Sequence, residues 1–165
     1  MSSHSSLIVS DASPLIHLAA INKLELVPKL VGSVVLPPAV FDEITAQGSE
    51  KPGAMGVREA AWVEVIACRD TELLARFMAE LDAGEAEALT LAVELKADAV
   101  LMDERLGRSV ASRENIKTIG LLGLLIEAKT GGLIQLVTPE MDALRRSGFY
   151  IANSIYHQIR SRCHE

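Results

Sequence analysis

Apolar residues occur in short runs separated by amphipathic stretches, and this alternation sets the fold class. Leu7-Ile8-Val9-Ser10 is too short for a buried helix and ends at Asp11, which suits a strand covered on both faces. Ser13-Pro14 then reads as an N-cap followed by proline at the first helical position, opening a helix to about Ala20, with a second helix over residues 23–30. Val34-Val35-Leu36 is the next strand, and Pro37-Pro38 ends it and opens a helix over residues 39–46. Residues 47–56 hold three glycines and a proline and read as a loop. Residues 62–67 alternate like a strand, residues 71–81 are helical, and Gly84 breaks the chain before a helix over residues 85–96. Residues 98–102 form a strand followed by a helix to about Ser112, and residues 117–119 form a fifth strand. A Leu-rich helix over residues 121–129 stops at Gly131-Gly132, and residues 138–146 and 151–162 are two closing helices.

Strands alternating with helices require right-handed crossovers and a mainly parallel sheet, so the expected fold is a three-layer α/β/α sandwich. A length of 165 residues leaves room for a single domain. Hydrophobic residues at 49% and charged residues at 23% are an ordinary globular mixture, which excludes disorder and fibrous repeats. Two cysteines, Cys68 and Cys163, have no metal-type spacing and form no disulfide framework. The first apolar run is too short for a signal-peptide core or a membrane span, so a cytoplasmic location and no membrane partner are expected.

The net charge of −6 argues against a protein that holds nucleic acid by bulk positive potential. Aromatic residues at 4% argue against a base-stacking platform. The charge is uneven, however. Residues 42–104 carry 15 acids against 5 bases, and residues 105–165 carry 9 bases against 5 acids. Solvated helix faces are the competing explanation of such asymmetry, so individual carboxylates must decide.

Ligands of an open parallel sheet bind outside the carboxyl ends of its strands. Asp11 follows the first strand and Asp103 follows the Ala-Val-Leu-Met strand; for Asp103 an N-cap of the next helix is the rival role. Glu85 shares a helical face with Ala88, Leu89, Ala92 and Leu95, which turns a carboxylate toward the core, whereas Glu87 falls with Thr90 and Glu94 on a solvated face. Stabilisation of Glu85 by the helix dipole is the alternative. Glu43 lies beside Ala39 and Val40 on the helix after Pro37-Pro38, within reach of the same edge, although a surface role suits it and Asp42 equally. Four converging carboxylates repel one another unless a divalent cation neutralises them, and an all-oxygen donor set suits Mg²⁺ or Mn²⁺. The chemistry implied is attack on a phosphodiester by a metal-activated water.

Other chemistries fit less well. His4, His17, His157 and His164 have no zinc spacing, and His17 reads as a core or groove residue. The chain has no Walker sequence, no GxGxxG after a strand and no nucleophile elbow. An aspartyl-phosphatase pattern requires an acid where Ser13 stands, and a receiver requires a lysine after the last strand, where Gly120 and Leu121 stand. Arg105, Arg108 and Arg113 share one helix face at i, i+3 and i+8, which suits phosphate binding or a solvated face. Arg145, Arg146, Arg160 and Arg162 form a second basic group on the surface or at a subunit contact. Leu121 to Ile126 suits core packing better than a dimer face.

Four motifs in order, Val9-Ser10-Asp11-Ala12-Ser13-Pro14-Leu15-Ile16, Leu36-Pro37-Pro38-Ala39-Val40-Phe41-Asp42-Glu43-Ile44, Gly84-Glu85-Ala86-Glu87-Ala88-Leu89 and Leu101-Met102-Asp103-Glu104, resemble the PIN domain, and most closely its VapC-like branch with Asp-x-Ser-Pro-Leu-Ile. The resemblance covers about residues 7–150, with a C-terminal helix over about 151–162. It implies an acidic quartet of Asp11, Glu43, Glu85 and Asp103 holding Mg²⁺ or Mn²⁺, with Ser13 as the hydroxyl that hydrogen-bonds within it. It also implies a toxin ribonuclease acting on RNA, dimeric and blocked by a small antitoxin. Two positions depart from the family pattern: Glu85 where Asp is common, and Leu101 where Thr or Ser is often found. Asp103-Glu104 resembles the double acid of the branch, which makes Glu104 a candidate auxiliary ligand. Arg105 and Arg108 are the expected phosphate-steering residues. The expectation is therefore a metal-dependent endoribonuclease, and the alternative is a catalytically weak binding module of the same fold acting through a protein partner.

Overall fold

A computed structural model describes residues 6–46 and 52–165. Its strands β1 (Ile8–Ser10), β2 (Val34–Leu36), β3 (Val63–Val65), β4 (Ala99–Leu101) and β5 (Thr118–Ile119) form a parallel sheet in the order β3-β2-β1-β4-β5. The helices are α1 (Ala12–Ala20), α2 (Leu26–Val31), α3 (Pro38–Thr45), α4 (Pro52–Arg58), α5 (Thr71–Met78), α6 (Ala83–Leu95), α7 (Arg105–Arg113), α8 (Leu121–Thr130), α9 (Thr138–Arg146) and α10 (Asn153–Arg162). The chain is thus the α/β/α sandwich that its alternating pattern predicts.

The two-residue period of a strand sorts the core into two layers. Ile8, Val34, Leu36, Ala99 and Leu101 point to one face and pack with Leu15, Leu18, Leu124, Leu125 and Met141 of the helices there. Val9, Val35 and Val100 point to the other and meet Phe77, Ala88, Leu89, Leu91 and Val110. Because β1, β2 and β4 are buried on both faces, β2 and β4 read as unbroken apolar triplets and β1 as an apolar pair closed by a buried Ser10. Leu121, Leu124 and Leu125 are buried in the first layer, so the Leu-rich stretch is core.

Four local expectations change. No side chain caps α1: Asp11 takes the N-cap position and Ser13 lies inside the first turn. Residues 23–25 form tight i→i+3 turns, with Leu26 N–H donating to the Lys23 carbonyl at 3.0 Å, after Asn22 has taken a left-handed φ of 58°. Residues 52–56 of the expected loop belong to α4, while residues 47–51 lie outside the described residues. The glycines of α4 serve close packing: a Cβ on Gly53 would sit 3.3 Å from Ala19 Cβ, and one on Gly56 2.7 Å from Leu24 Cδ2. Gly84 does not break the chain, because the helix begins at Ala83, capped by Asp82. Cys68 and Cys163 are both free thiols. Among the described residues no helix is long and apolar enough to cross a membrane.

Candidate functional site

From β1 the chain steps outward to β2 and β3, then crosses back to place β4 on the other side of β1. The loops leaving β1 and β4 therefore diverge, and a crevice opens between them at the carboxyl ends of the strands. Asp11 stands on one lip. Its N–H donates to the Leu101 carbonyl at 2.9 Å, extending the β1–β4 ladder one step, and it is only 4% exposed. Met102 N–H donates in turn to the Ile119 carbonyl at 3.0 Å, which carries Asp103 to the opposite lip.

Asp103 is not the N-cap of the helix that follows it; Glu104 takes that position, without a side-chain bond. Instead Asp103 Oδ1 accepts from the N–H of Leu121 at 2.8 Å and so caps α8, 18 residues away. Its other oxygen, Oδ2, is buried with no hydrogen-bond partner. A buried carboxylate oxygen in that state is expensive unless a cation or a proton reaches it. Burial pushes the Asp103 carboxyl upward; the Leu121 hydrogen bond and the Arg108 guanidinium pull it back, and Glu104 raises it again.

Glu85 is buried on α6 as its spacing predicts, but it is also half of a capping box. Asp82 Oδ1 accepts from Glu85 N–H at 2.9 Å, and Glu85 Oε2 accepts from Asp82 N–H at 3.3 Å. Burial, then Asp82, pushes the Glu85 carboxyl upward. Glu43 is exposed on α3, but partial desolvation of its carboxyl and then the charge of Asp82 raise it too. The meeting point of these groups is the bare backbone of Gly84. A Cβ there would sit 3.2 Å from Glu43 Oε2, 3.6 Å from Asp11 Oδ1 and 3.6 Å from Val40 Cγ2. The absent side chain lets α3 and α6 close on Asp11. Burial, followed by the charges of Glu85, Asp82 and Glu43, raises the Asp11 carboxyl to about 7, against the opposing pull of the Ala12 backbone N–H nearby.

The structure thus brings Asp11, Glu43 and Glu85 to one lip and Asp103 and Glu104 to the other. Two acids escaped the sequence reading. Asp82 joins the cluster, and its signal was present in Asp82-Ala83-Gly84-Glu85, the spacing of a capping box. Glu87 is not on a solvated face: Oε2 accepts from Ala39 N–H at 2.9 Å, capping α3 across 48 residues of sequence. Thr90 beside it is fully buried. That contact has no local signature, because α6 is buried on most of its circumference.

The three arginines of α7 do not act together. Arg113 is held by Glu80, with its Nη2 2.5 Å from Glu80 Oε2. Arg108 turns toward Asp103, and a Cβ on Gly120 would touch both Arg108 Nη1 and Asp103 Oδ1. Of the second basic group, Arg145 lies 4.2 Å over the Tyr156 ring and donates to the Ile151 carbonyl at 2.7 Å. His17 is half-buried and packs edge-on to Phe149 at 5.0 Å.

Among the described residues no three acids, histidines or cysteines are arranged to hold an ion as they stand. The donor chemistry fits a hard divalent cation nonetheless: all-oxygen groups, mutually repelling, with one buried oxygen unpartnered. A search among curated proteins finds no match. A sequence model of the PIN domain family matches residues 7–165. With acids at the ends of the two strands that flank the crevice of a parallel sheet, and a match running from β1 to Glu165, the chain belongs to the PIN domain family, whose members are generally nucleases.

Proposed function

We propose that this chain is a divalent-metal-dependent endoribonuclease that hydrolyses RNA phosphodiester bonds. In this reading it is the cytoplasmic toxin of a toxin–antitoxin pair, a homodimer blocked by a small cognate antitoxin of the kind met in the VapC-like branch. The observation that carries the reading is Asp103 Oδ2, a buried and unpartnered carboxylate oxygen at the strand end beside that of Asp11. Asp11 and Asp103 would hold Mg²⁺ or Mn²⁺, with Glu104 as an auxiliary ligand. Glu43 and Glu85 would complete the shell or orient the water by accepting its hydrogens, and Ser13, in the first turn of α1, would donate a hydrogen bond within the cluster. The bound ion supplies an activated water for attack at phosphorus. Arg108 and Arg105 receive the non-bridging phosphate oxygens and hold the phosphodiester over the carboxylates. Attack breaks the bond from phosphorus to O3′, leaving 5′-phosphate and 3′-hydroxyl ends. Purified protein with Mn²⁺ is expected to cleave RNA to such ends, and Asp11→Asn to abolish cleavage together with toxicity on expression; absence of cleavage, with toxicity indifferent to Asp11→Asn, would sink the proposal.

A second reading, a PIN-like module acting through a protein partner without catalysis, is favoured by the capping box that already engages Glu85. Calorimetric titration with Mn²⁺ separates the two. Stoichiometric binding lost in Glu85→Gln supports the enzyme, since glutamine preserves the capping box.

A further inference from the structure

A groove of about 870 Å³ starts at Asp103 and runs along β5 and α8 to α10. Its floor is apolar, including Ile119, Leu122, Ile126 and Ile151. Its charged lining is Arg105, Arg108, Lys117 and Arg162 against Asp103 and Glu127. Among the described residues, Arg105, Lys117 and Arg162 form no ion pair. In the loop between α9 and α10 that borders it, Tyr150 is 84% exposed. The acid-rich helices α3 and α6, which carry Asp42, Glu43, Glu85, Glu87 and Glu94, pack on each other on the other side of the crevice. A polyanion reaching Asp103 is therefore repelled from that side and attracted along this one.

We propose that this groove is the track for single-stranded nucleic acid and that Tyr150 is its base-stacking residue. The inference rests on the nuclease reading for what happens at Asp103, but not for binding. The basic rim matches a phosphate backbone, and the apolar floor with an exposed phenol ring matches the faces of unpaired bases. A duplex hides those faces and cannot use the floor. A purely apolar partner would leave Arg105, Lys117 and Arg162 without counter-charges.

The test is fluorescence anisotropy of the full chain in EDTA at low salt, where no metal-dependent cleavage occurs, with a labelled 12-nucleotide RNA and the same sequence as a duplex. Tyr150→Ala is expected to weaken single-strand binding about tenfold, with Tyr150→Phe within about twofold of wild type. Lys117→Ala and Arg162→Ala should each flatten the dependence of binding on salt. Tyr150 is exposed, so circular dichroism should be unchanged in its variants. Equal binding by wild type and Tyr150→Ala, a duplex bound as tightly as the single strand, or a dimer in sedimentation that Tyr150→Ala dissolves without affecting RNA, would each overturn the proposal. Cleavage with Mn²⁺ alongside Tyr150-independent binding overturns the track alone; Tyr150-dependent binding without cleavage overturns the nuclease reading alone.

Discussion

Asp11 shows what a buried charge among like charges does to the fold that carries it. The residue is 4% exposed and its carboxyl faces Glu85, Asp82 and Glu43, so its charge opposes folding unless an ion binds or a proton is taken up. Asp11→Asn keeps the shape and removes the charge. In EDTA at pH 7.5 its melting temperature is expected to rise by about 2–4 °C, the response of a chain this size to ~1 kcal/mol. Under the proposed function the same variant loses the upward shift that Mn²⁺ gives wild type, and a thermal scan with and without the ion reads both effects. Asp11 and Asp103 were legible because each closes a short buried run that only a strand explains. The partner of Asp103 was not, since nothing near it in sequence points to Leu121.

At the scale of elements, α6 organises the site. Its N-terminal turn combines the capping box of Asp82 and Glu85 with bare Gly84, and one turn on, Glu87 caps α3. Glu87→Ala removes that cap. It is expected to cost about 0.5–2 kcal/mol in denaturant unfolding and, because α3 carries Glu43, to weaken Mn²⁺ binding as well. Equal Mn²⁺ affinity in wild type and variant would separate the cap from the site. The helical period assigned Glu85 to a buried face correctly but Glu87 to a solvated one. Periodicity registers one apolar stripe, whereas α6 packs against α3, α5, β1 and β4 at once. The glycines misled in the same way: Gly53, Gly56 and Gly84 mark close approach of a helix to its neighbours rather than breaks.

At the scale of the molecule, Glu165 ties three helices together. Its carboxylate accepts from Lys129 Nζ, Val137 N–H and Thr138 N–H, each at 2.8 Å, and so caps α9 while anchoring α10 to α8. Burial pushes its carboxyl upward, but these hydrogen bonds outweigh it and hold the group at about 2. The unfolded chain takes up the proton first. The contribution of Glu165 is therefore complete above the ordinary glutamate range near 4.5 and is lost as pH falls toward 2. Glu165→Gln is expected to lower the melting temperature by roughly 2–4 °C at pH 7 and to lose less than wild type between pH 6 and pH 3. A variant that loses as much as wild type over that range would show that the clasp is not ionic.

The sequence by itself determined the strands, the parallel sheet and the acids at strand ends, because these follow from local periodicity and from the cost of placing charge after a buried run. It also determined the excess of acids in one half of the chain and of bases in the other. Tertiary structure decided which charges meet. Strand order set Asp11 beside Asp103, the missing side chain of Gly84 admitted Glu43 to the cluster, and the fold of α7 separated Arg113 from Arg108. It also turned a low aromatic count into one exposed ring at the rim of a basic groove. Composition averages over the chain, while electrostatic and packing energies depend on distances between residues far apart in sequence, which only the folded chain fixes.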